Sequence, residues 1–177
     1  RMRREFDSLW PHKKQSMNEN LIAKIPKEVT HVTGTLEKAG FEAYMVGGCV
    51  RDLVMARTPK DWDVTTNAKP EEIIKLFEKT VYENTFGTVG VYVPSFDKSE
   101  DVPRETVGEY TIVEVTPYRI EAKYSDFRHP DEVKFSNKLE DDLKRRDFTI
   151  NALALDLKGH LKDLYNGLKD IEAKTIQ

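Results

Sequence analysis

Hydrophobic residues recur along this chain at two spacings, and these spacings predict a mixture of helices and strands. A helix is expected from Ile25, because Val29, Val32 and Leu36 recur at helical intervals before a glycine ends it. Further helices are expected over residues 49–55, 70–79, 139–143 and from 167. Strands are expected over 41–46, 61–65 and 110–119, and residues 81–93 are expected to form two strands divided by a glycine. Because these elements intermix without a strict βαβ alternation, the predicted fold class is α/β (α+β), a mixed β-sheet flanked by helices.

The same pattern predicts which side chains face the core. Ile73, Ile74 and Phe77 are expected on one face of the helix over 70–79, and Val113 and Val115 on one face of the strand over 110–119. Residues 94–109 hold two prolines, one glycine and many charges without an apolar period, which predicts a mobile loop.

Charge and composition narrow the class of protein. The 177 residues carry 28 basic and 31 acidic side chains, so a polyanion would have to be met by a local patch, and RNA binding by this chain alone is expected to be weak. The single Cys49 excludes an internal disulfide framework and a multi-cysteine zinc site. No apolar run is long enough to span a bilayer, and no signal-peptide pattern is found. We therefore expect a cytoplasmic protein without a membrane anchor.

A first candidate for chemistry is Gly47-Gly48, which follows an apolar strand and opens a helix that carries Arg51. Glycines let backbone N–H groups approach an oxyanion closely, and the Arg51 guanidinium adds a fork of donors. A tight strand-to-helix turn with Arg51 in solvent explains the same residues equally well.

A second candidate is Asp61-Trp62-Asp63 on a predicted strand. Alternation along a strand places both carboxylates on one face, where they would repel each other unless a cation neutralises them. Carboxylate oxygens suit Mg²⁺ bound together with substrate phosphates. A solvated pair of acids at a strand edge is the alternative.

The third candidate begins at Arg145-Arg146 and includes Asp147 and Asn151. Guanidinium groups suit phosphates, and a carboxylate with an amide suits sugar hydroxyls. The alternative is a helix start with surface ion pairs. Phe148 and Ile150, which alternate with these polar residues, are expected to pack in the core.

Taken together, these motifs give the chain a specific likeness. It resembles the head (catalytic) domain of the class II tRNA nucleotidyltransferase (CCA-adding enzyme) and poly(A) polymerase family, within the polymerase-β-like nucleotidyltransferase superfamily. The resemblance covers roughly residues 40–172, and its matching stretches are Tyr44–Asp52, Pro59–Thr66, Ile112–Arg119, Tyr124–Pro130 and Leu139–Ala152.

The resemblance implies a template-independent enzyme that adds C or A from CTP or ATP to tRNA 3′ ends and releases pyrophosphate. It assigns Gly47, Gly48 and Arg51 to the triphosphate. It assigns Asp61 and Asp63 to Mg²⁺, with the attacking RNA 3′-hydroxyl close by. Poly(A) addition remains an alternative, and so does a nucleotide-binding subunit that is inactive without a partner.

Further positions follow from the same resemblance. Arg146, with Asp147 and Asn151, would hold the phosphate and sugar of the incoming nucleotide. Glu114 is a candidate third catalytic carboxylate, although an ion pair with a neighbouring basic residue would also account for it.

The resemblance also divides the chain. Residues 1–17 are interpreted as a leader, 18–157 as the head domain with the flexible loop 94–109, and 158–177 as the start of a neck. Asp126 and Arg128 would position the head against that neck. In the family a Glu-Asp-x-x-Arg base template lies in the neck, and no such pattern follows the head-domain motifs in this sequence. Base selection and most tRNA contacts are therefore expected from a separate chain or from a missing C-terminal part.

Overall fold

The computed structural model describes residues 21–83, 87–96, 106–107, 110–120 and 134–177. The leader over residues 1–17 lies outside these ranges, as do Asp126, Arg128 and most of the loop over 94–109.

The first described helix, α1 (Lys27–Lys38), confirms the helical spacing of its apolar residues. Val29, Val32 and Leu36 are fully buried on its inner face. Gly40 adopts a φ of +92°, and the backbone N–H of Phe41 donates to the Leu36 carbonyl oxygen at 3.1 Å. This is the hydrogen bond of a Schellman ending, so the glycine ends the helix as expected.

The strands form one mixed sheet and a separate two-stranded ribbon. The sheet strands are β1 (Ala43–Val46), β2 (Asp63–Thr66), β3 (Thr80–Glu83), β4 (Thr88–Pro94), β5 (Thr106–Val107), β6 (Tyr110–Pro117), β9 (Leu153–Leu155) and β10 (Leu161–Asp163). Their order is β10-β9-β1-β2-β6-β4-β3, with β5 paired to β6. Strands β2 and β6 run parallel, and the other described pairs in this sheet run antiparallel. The ribbon pairs β7 (Arg119–Ile120) with β8 (Lys134–Phe135).

Four further helices and one 3₁₀ turn complete the described elements. They are α2 (Gly48–Val54), α3 (Pro70–Leu76), α4 (Leu139–Lys144), the 3₁₀ turn (Thr149–Asn151) and α5 (Gly167–Ala173). A mixed sheet flanked by helices confirms the predicted fold class. Within the described ranges, no helix combines the length and the apolar character needed to cross a membrane.

The two faces of the sheet differ in character. Val64, Val113 and Val115 are fully buried and belong to the core cluster that includes the inner face of α1. The alternate positions of the same strands place Asp63 directly beside Glu114 in the parallel β2–β6 pair. The face away from the main core therefore carries these two acids, and beside them a smaller apolar cluster in which Val46 and Ala154 pack with Leu139 and Leu143 of α4.

One core prediction is wrong. Ile73 is fully buried, but Ile74 is 39% exposed. Neighbouring residues of a helix point about 100° apart, so Ile74 lies to the side when Ile73 faces the core. Helix α3 also ends at Leu76 instead of continuing to residue 79.

Candidate active site

The turn between β1 and α2 is built on Gly47. Its φ of +80° with a ψ of −135° lies in a region that residues with a side chain rarely adopt. Its N–H donates to the Leu153 carbonyl oxygen at 3.2 Å, and its own carbonyl oxygen accepts from the Arg51 N–H at 3.1 Å. The first hydrogen bond holds the turn against β9 and the second begins α2, so the position of Gly47 is fixed from both sides.

Three sequence motifs meet at this glycine. A Cβ atom placed on Gly47 would lie 2.9 Å from Arg146 Nη1, 3.8 Å from Asp63 Oδ2 and 3.9 Å from the Asn151 carbonyl oxygen. The space that a side chain would fill is thus bordered by a guanidinium, a carboxylate and backbone. Gly48 is less crowded, since the nearest atom to a Cβ placed there would be Arg51 Nη2 at 3.7 Å.

The Arg51 guanidinium is held in place by two neighbours. Its Nη1 donates to Asn151 Oδ1 at 2.9 Å, and its Nε donates to Asp52 Oδ1 at 2.9 Å. Asn151 Nδ2 in turn donates to Asp147 Oδ1 at 3.1 Å. A chain of hydrogen bonds therefore joins the Gly-Gly helix to the 3₁₀ turn and links three of the predicted nucleotide-binding residues.

The two aspartates differ in environment. Strand β2 begins at Asp63, so Asp61 precedes the strand and is exposed, whereas Asp63 is half-buried and Trp62 between them is buried. Burial raises the pKa of the Asp63 carboxyl above its usual value; the charge of Arg146 opposes this rise, and the charge of Asp61 adds to it. A cation bound at this pair would relieve the repulsion between the two carboxylates.

Glu114 lies beside Asp63 in the sheet register. Among the described residues, however, no group of three or more histidine, cysteine, aspartate or glutamate side chains is arranged to hold a metal ion. Asp61 and Asp63 are thus two carboxylates that could contribute to binding a divalent cation, and Mg²⁺ is commonly held by one or two carboxylates together with other oxygen ligands.

Asp142 is a site residue that sequence analysis missed. It is fully buried on α4, and its Oδ1 accepts from Arg145 Nη2 at 2.7 Å while its Oδ2 accepts from Arg146 Nη2 at 3.2 Å. The ion pairs of the two arginines are therefore made with a buried acid and not at the surface. The spacing of three and four residues from Asp142 to the arginines was the available signal.

A second prediction is wrong at Phe148, which is 41% exposed, whereas Ile150 is half-buried. Phe148 is the extended residue before the 3₁₀ turn, and the chain buries Ala152 and Leu153 after that turn instead. The apolar contacts of this segment thus come from residues that follow the motif.

Comparison with known proteins places this geometry in a family. A family model described as the poly A polymerase head domain matches residues 43–177. The CCA-adding enzyme of Lactobacillus helveticus is 47% identical over 147 residues, which are 82% of this chain and 33% of that protein. The CCA-adding enzyme of Enterococcus faecalis is 44% identical, over 85% of this chain and 34% of that protein. The chain spans about one third of the length of the curated relatives it matches.

Solved structures agree with the sequence matches. The crystal structure of the Bacillus stearothermophilus CCA-adding enzyme in complex with CTP superposes with a TM-score of 0.67 at 34% identity, over 85% of this chain and 32% of that one. The Thermotoga maritima CCA-adding enzyme complexed with tRNA superposes with a TM-score of 0.61 at 20% identity, over 90% of this chain and 34% of that one, and this second likeness concerns the fold alone.

Proposed function

This chain belongs to the poly(A) polymerase head-domain family, and from that premise we propose that it catalyses template-independent addition of C, A or both to tRNA 3′ ends, using CTP and ATP. The observation that carries the proposal is the meeting of Arg146, Asp63 and Asn151 around the Gly47 turn. The relatives named CCA-adding enzymes, one of them solved in complex with CTP, support the choice of substrate.

In the proposed reaction, the RNA 3′-hydroxyl attacks the α-phosphate of the nucleotide and pyrophosphate leaves. The Gly47 turn leaves room for phosphate oxygens beside Arg146, because no side chain occupies that space. Gly48 and Arg51 extend this phosphate site along α2. Arg146 Nε is buried and has no hydrogen-bond partner among the described residues, so it offers a donor that a bound phosphate would satisfy.

Asp147 and Asn151 are proposed to receive the sugar of the incoming nucleotide. Their side chains are hydrogen-bonded to each other, and Asn151 also holds Arg51, so phosphate and sugar contacts would be coupled. Holding both ends of the nucleotide fixes the α-phosphate for attack, and such positioning supplies much of the rate in phosphoryl transfer.

The two aspartates fit a divalent cation, and we propose that Asp61 and Asp63 bind Mg²⁺ together with the triphosphate. Asp63 is a half-buried carboxylate next to another acid, which is a donor set that favours a hard cation. When bound, the ion would neutralise phosphate charge and favour deprotonation of the attacking hydroxyl. Glu114, beside Asp63 in the register, stays a proposed third catalytic carboxylate.

Several parts of the proposal concern the rest of the protein. Base selection and grip on the tRNA would come from segments beyond this chain or from a separate chain. The roles of Asp126 and Arg128 toward such a neck, the boundary at residues 157–158 and the cytoplasmic location stay predictions from the sequence.

The test is a single-nucleotide extension assay with a tRNA that lacks its terminal CCA, Mg²⁺ and labelled CTP or ATP. Asp63→Asn should lower incorporation by at least about 100-fold, because it removes a charged ligand. Glu78→Gln, which changes an exposed acid away from the turn, is the matched control and should retain activity. Full activity in Asp63→Asn would contradict the proposal.

The same assay separates the alternatives. Repeated addition of A without C would favour a poly(A) polymerase. Nucleotide binding without incorporation, even in the presence of the neck, would favour a binding subunit.

A further inference from the structure

Asp142 is a carboxylate with no contact with solvent. It lies on α4, a helix of six residues, and its side chain is fully buried. A buried carboxylate is costly unless all its oxygens are paired, so its partners have to be accounted for.

The two oxygens of Asp142 have different partners. Oδ1 accepts from Arg145 Nε at 3.0 Å and from Arg145 Nη2 at 2.7 Å, so two nitrogens of this guanidinium share one carboxylate oxygen. Oδ2 accepts from Arg146 Nη2 at 3.2 Å and lies 3.3 Å from the Thr65 hydroxyl. Since Arg145 occupies Oδ1, Arg146 is held through Oδ2 alone.

Thr65 ties this arrangement to the strand of the aspartates. It lies two residues after Asp63 on β2, so the two side chains share one face of the sheet. Its hydroxyl lies 3.1 Å from the Thr116 carbonyl oxygen on β6 as well as near Asp142 Oδ2, and its single proton is shared between them. Through Thr65, Asp142 is linked to the same strand that carries Asp63.

The three side-chain nitrogens of Arg146 have different surroundings, and these show how Asp142 orients the guanidinium. Nη2 binds Asp142, Nη1 points to the Gly47 turn, and the buried Nε has no partner among the described residues. An ion pair built only for stability would be expected to satisfy the whole guanidinium, because an unpaired buried donor is destabilising. Replacing a buried ion pair by apolar residues is often neutral or stabilising, so stability alone gives a weak reason for this one.

We propose that Asp142 is a positioning residue that fixes the Arg146 guanidinium against the Gly47 turn, from which Arg146 contacts the triphosphate. The contact with triphosphate rests on the proposed function, whereas the placement of Arg146 by Asp142 does not. Asp142 acts through Arg146 and touches no reacting atom.

A direct test follows the Arg146 Nε–H signal by NMR in the protein without nucleotide, with the signal assigned by its loss in Arg146→Lys. Asp142→Asn should shift this signal and speed its exchange with water by at least about tenfold, because the guanidinium loses its charged anchor. Asp141→Asn is the matched control: Asp141 is the neighbouring acid on α4, and it accepts from Ser136 Oγ. An unchanged Arg146 signal in folded Asp142→Asn would overturn the proposal.

A kinetic test separates positioning from a general loss of structure. Asp142→Asn should raise KM for CTP by about 10- to 100-fold, the range of one lost charged hydrogen bond, with kcat changed less than about threefold. Combined with Arg146→Gln, it should add little, because both changes remove the same contact. A full additional effect in the double variant would contradict action through Arg146.

Two further outcomes keep the tests informative. If Asp142→Asn does not fold, Thr65→Val removes a neighbour of the same Oδ2 without changing charge, and it should move the Arg146 signal in the same direction by a smaller amount; no movement would overturn the proposal. If neither the original protein nor any variant binds nucleotide, the proposed function is refuted. If the Arg146 signal still depends on Asp142 in that case, the placement of Arg146 by Asp142 is supported.

Discussion

Replacing Gly47 by alanine tests the centre of the site with the smallest possible side chain. The new Cβ would have to exist at a φ of +80° and a ψ of −135°, which only glycine adopts without strain. It would also lie 2.9 Å from Arg146 Nη1, closer than real Cβ contacts allow. Asp142 holds Nη2 of the same guanidinium, so Arg146 cannot move away without weakening that ion pair.

The size of the effect follows from these two terms. Backbone strain of this kind is about 1–3 kcal/mol, and for a chain of this length each kcal/mol lowers Tm by about 2–4 °C. We therefore expect Tm of Gly47→Ala to fall by about 2–12 °C. Affinity for CTP should fall by at least about tenfold, because the methyl group occupies the space proposed for phosphate.

Thermal unfolding and calorimetry with CTP measure the two effects, and Gly48→Ala provides the matched control for thermal unfolding. Gly48 is the first residue of α2, and a Cβ there would meet Arg51 Nη2 at 3.7 Å, an ordinary contact. Alanine at this helical position should leave stability unchanged or raise it by up to about 1 kcal/mol. If Gly47→Ala lowers Tm no more than Gly48→Ala does, the geometry assigned to the turn is refuted.

Three more predictions follow from the structure. Gly167→Ala should destabilise the protein by about 1–3 kcal/mol or more in urea unfolding, because its Cβ would overlap the Thr149 carbonyl oxygen, which is backbone and cannot easily move. Gly34→Ala, whose Cβ would have its nearest atom at 3.7 Å, should not destabilise the protein. Burial raises the pKa of the Asp63 carboxyl in the folded state, so the folded protein binds more protons than the unfolded chain at pH values between the two pKa values. The free energy of unfolding therefore falls as pH rises through this range. Asp63→Asn should remove this pH dependence and be more stable at pH 7, and an unchanged pH dependence would contradict burial as its cause. Burial raises the pKa of the Cys49 thiol to about 12, so iodoacetamide at pH 8 should alkylate Cys49 far more slowly in the folded protein than in urea. Mass spectrometry follows the alkylation, and equal rates in the two states would contradict the burial of Cys49.

The sequence was most informative for helices whose apolar residues recur at helical spacing and form a single buried face. The helical spacing of Val29, Val32 and Leu36 predicted α1 because a surface helix buries a single stripe. It was less informative for α3, where two adjacent apolar residues compete for one face. Ile73 and Ile74 are chemically alike, but they point about 100° apart on the helix, and only the packing of α3 decides that Ile73 is buried and Ile74 exposed.

The candidate site shows a similar division. Its glycines, acids and arginines could be proposed from residue type, because their chemistry is local and their motifs are short. The role of Asp142 could not, because it depends on burial and on the Thr65 hydroxyl, which is 77 residues distant in sequence. Contacts of that kind depend on where α4 packs, and Leu139 and Leu143 of this helix pack with Val46 and Ala154 on strands that are distant in the chain.

The arrangement around Gly47 concentrates several unfavourable features at one point. The turn relies on a glycine, which loses more conformational freedom on folding than other residues do, the Asp63 charge is partly removed from water beside another acid, and Arg146 Nε is buried without a described partner. Each feature lowers stability in the free protein, and none contributes to the core. A triphosphate with its divalent cation would relieve the last two, since phosphate oxygens accept from Arg146 and the cation neutralises the aspartates. Because a ligand that binds only the folded state stabilises it, the same features that weaken the free site favour its occupied form.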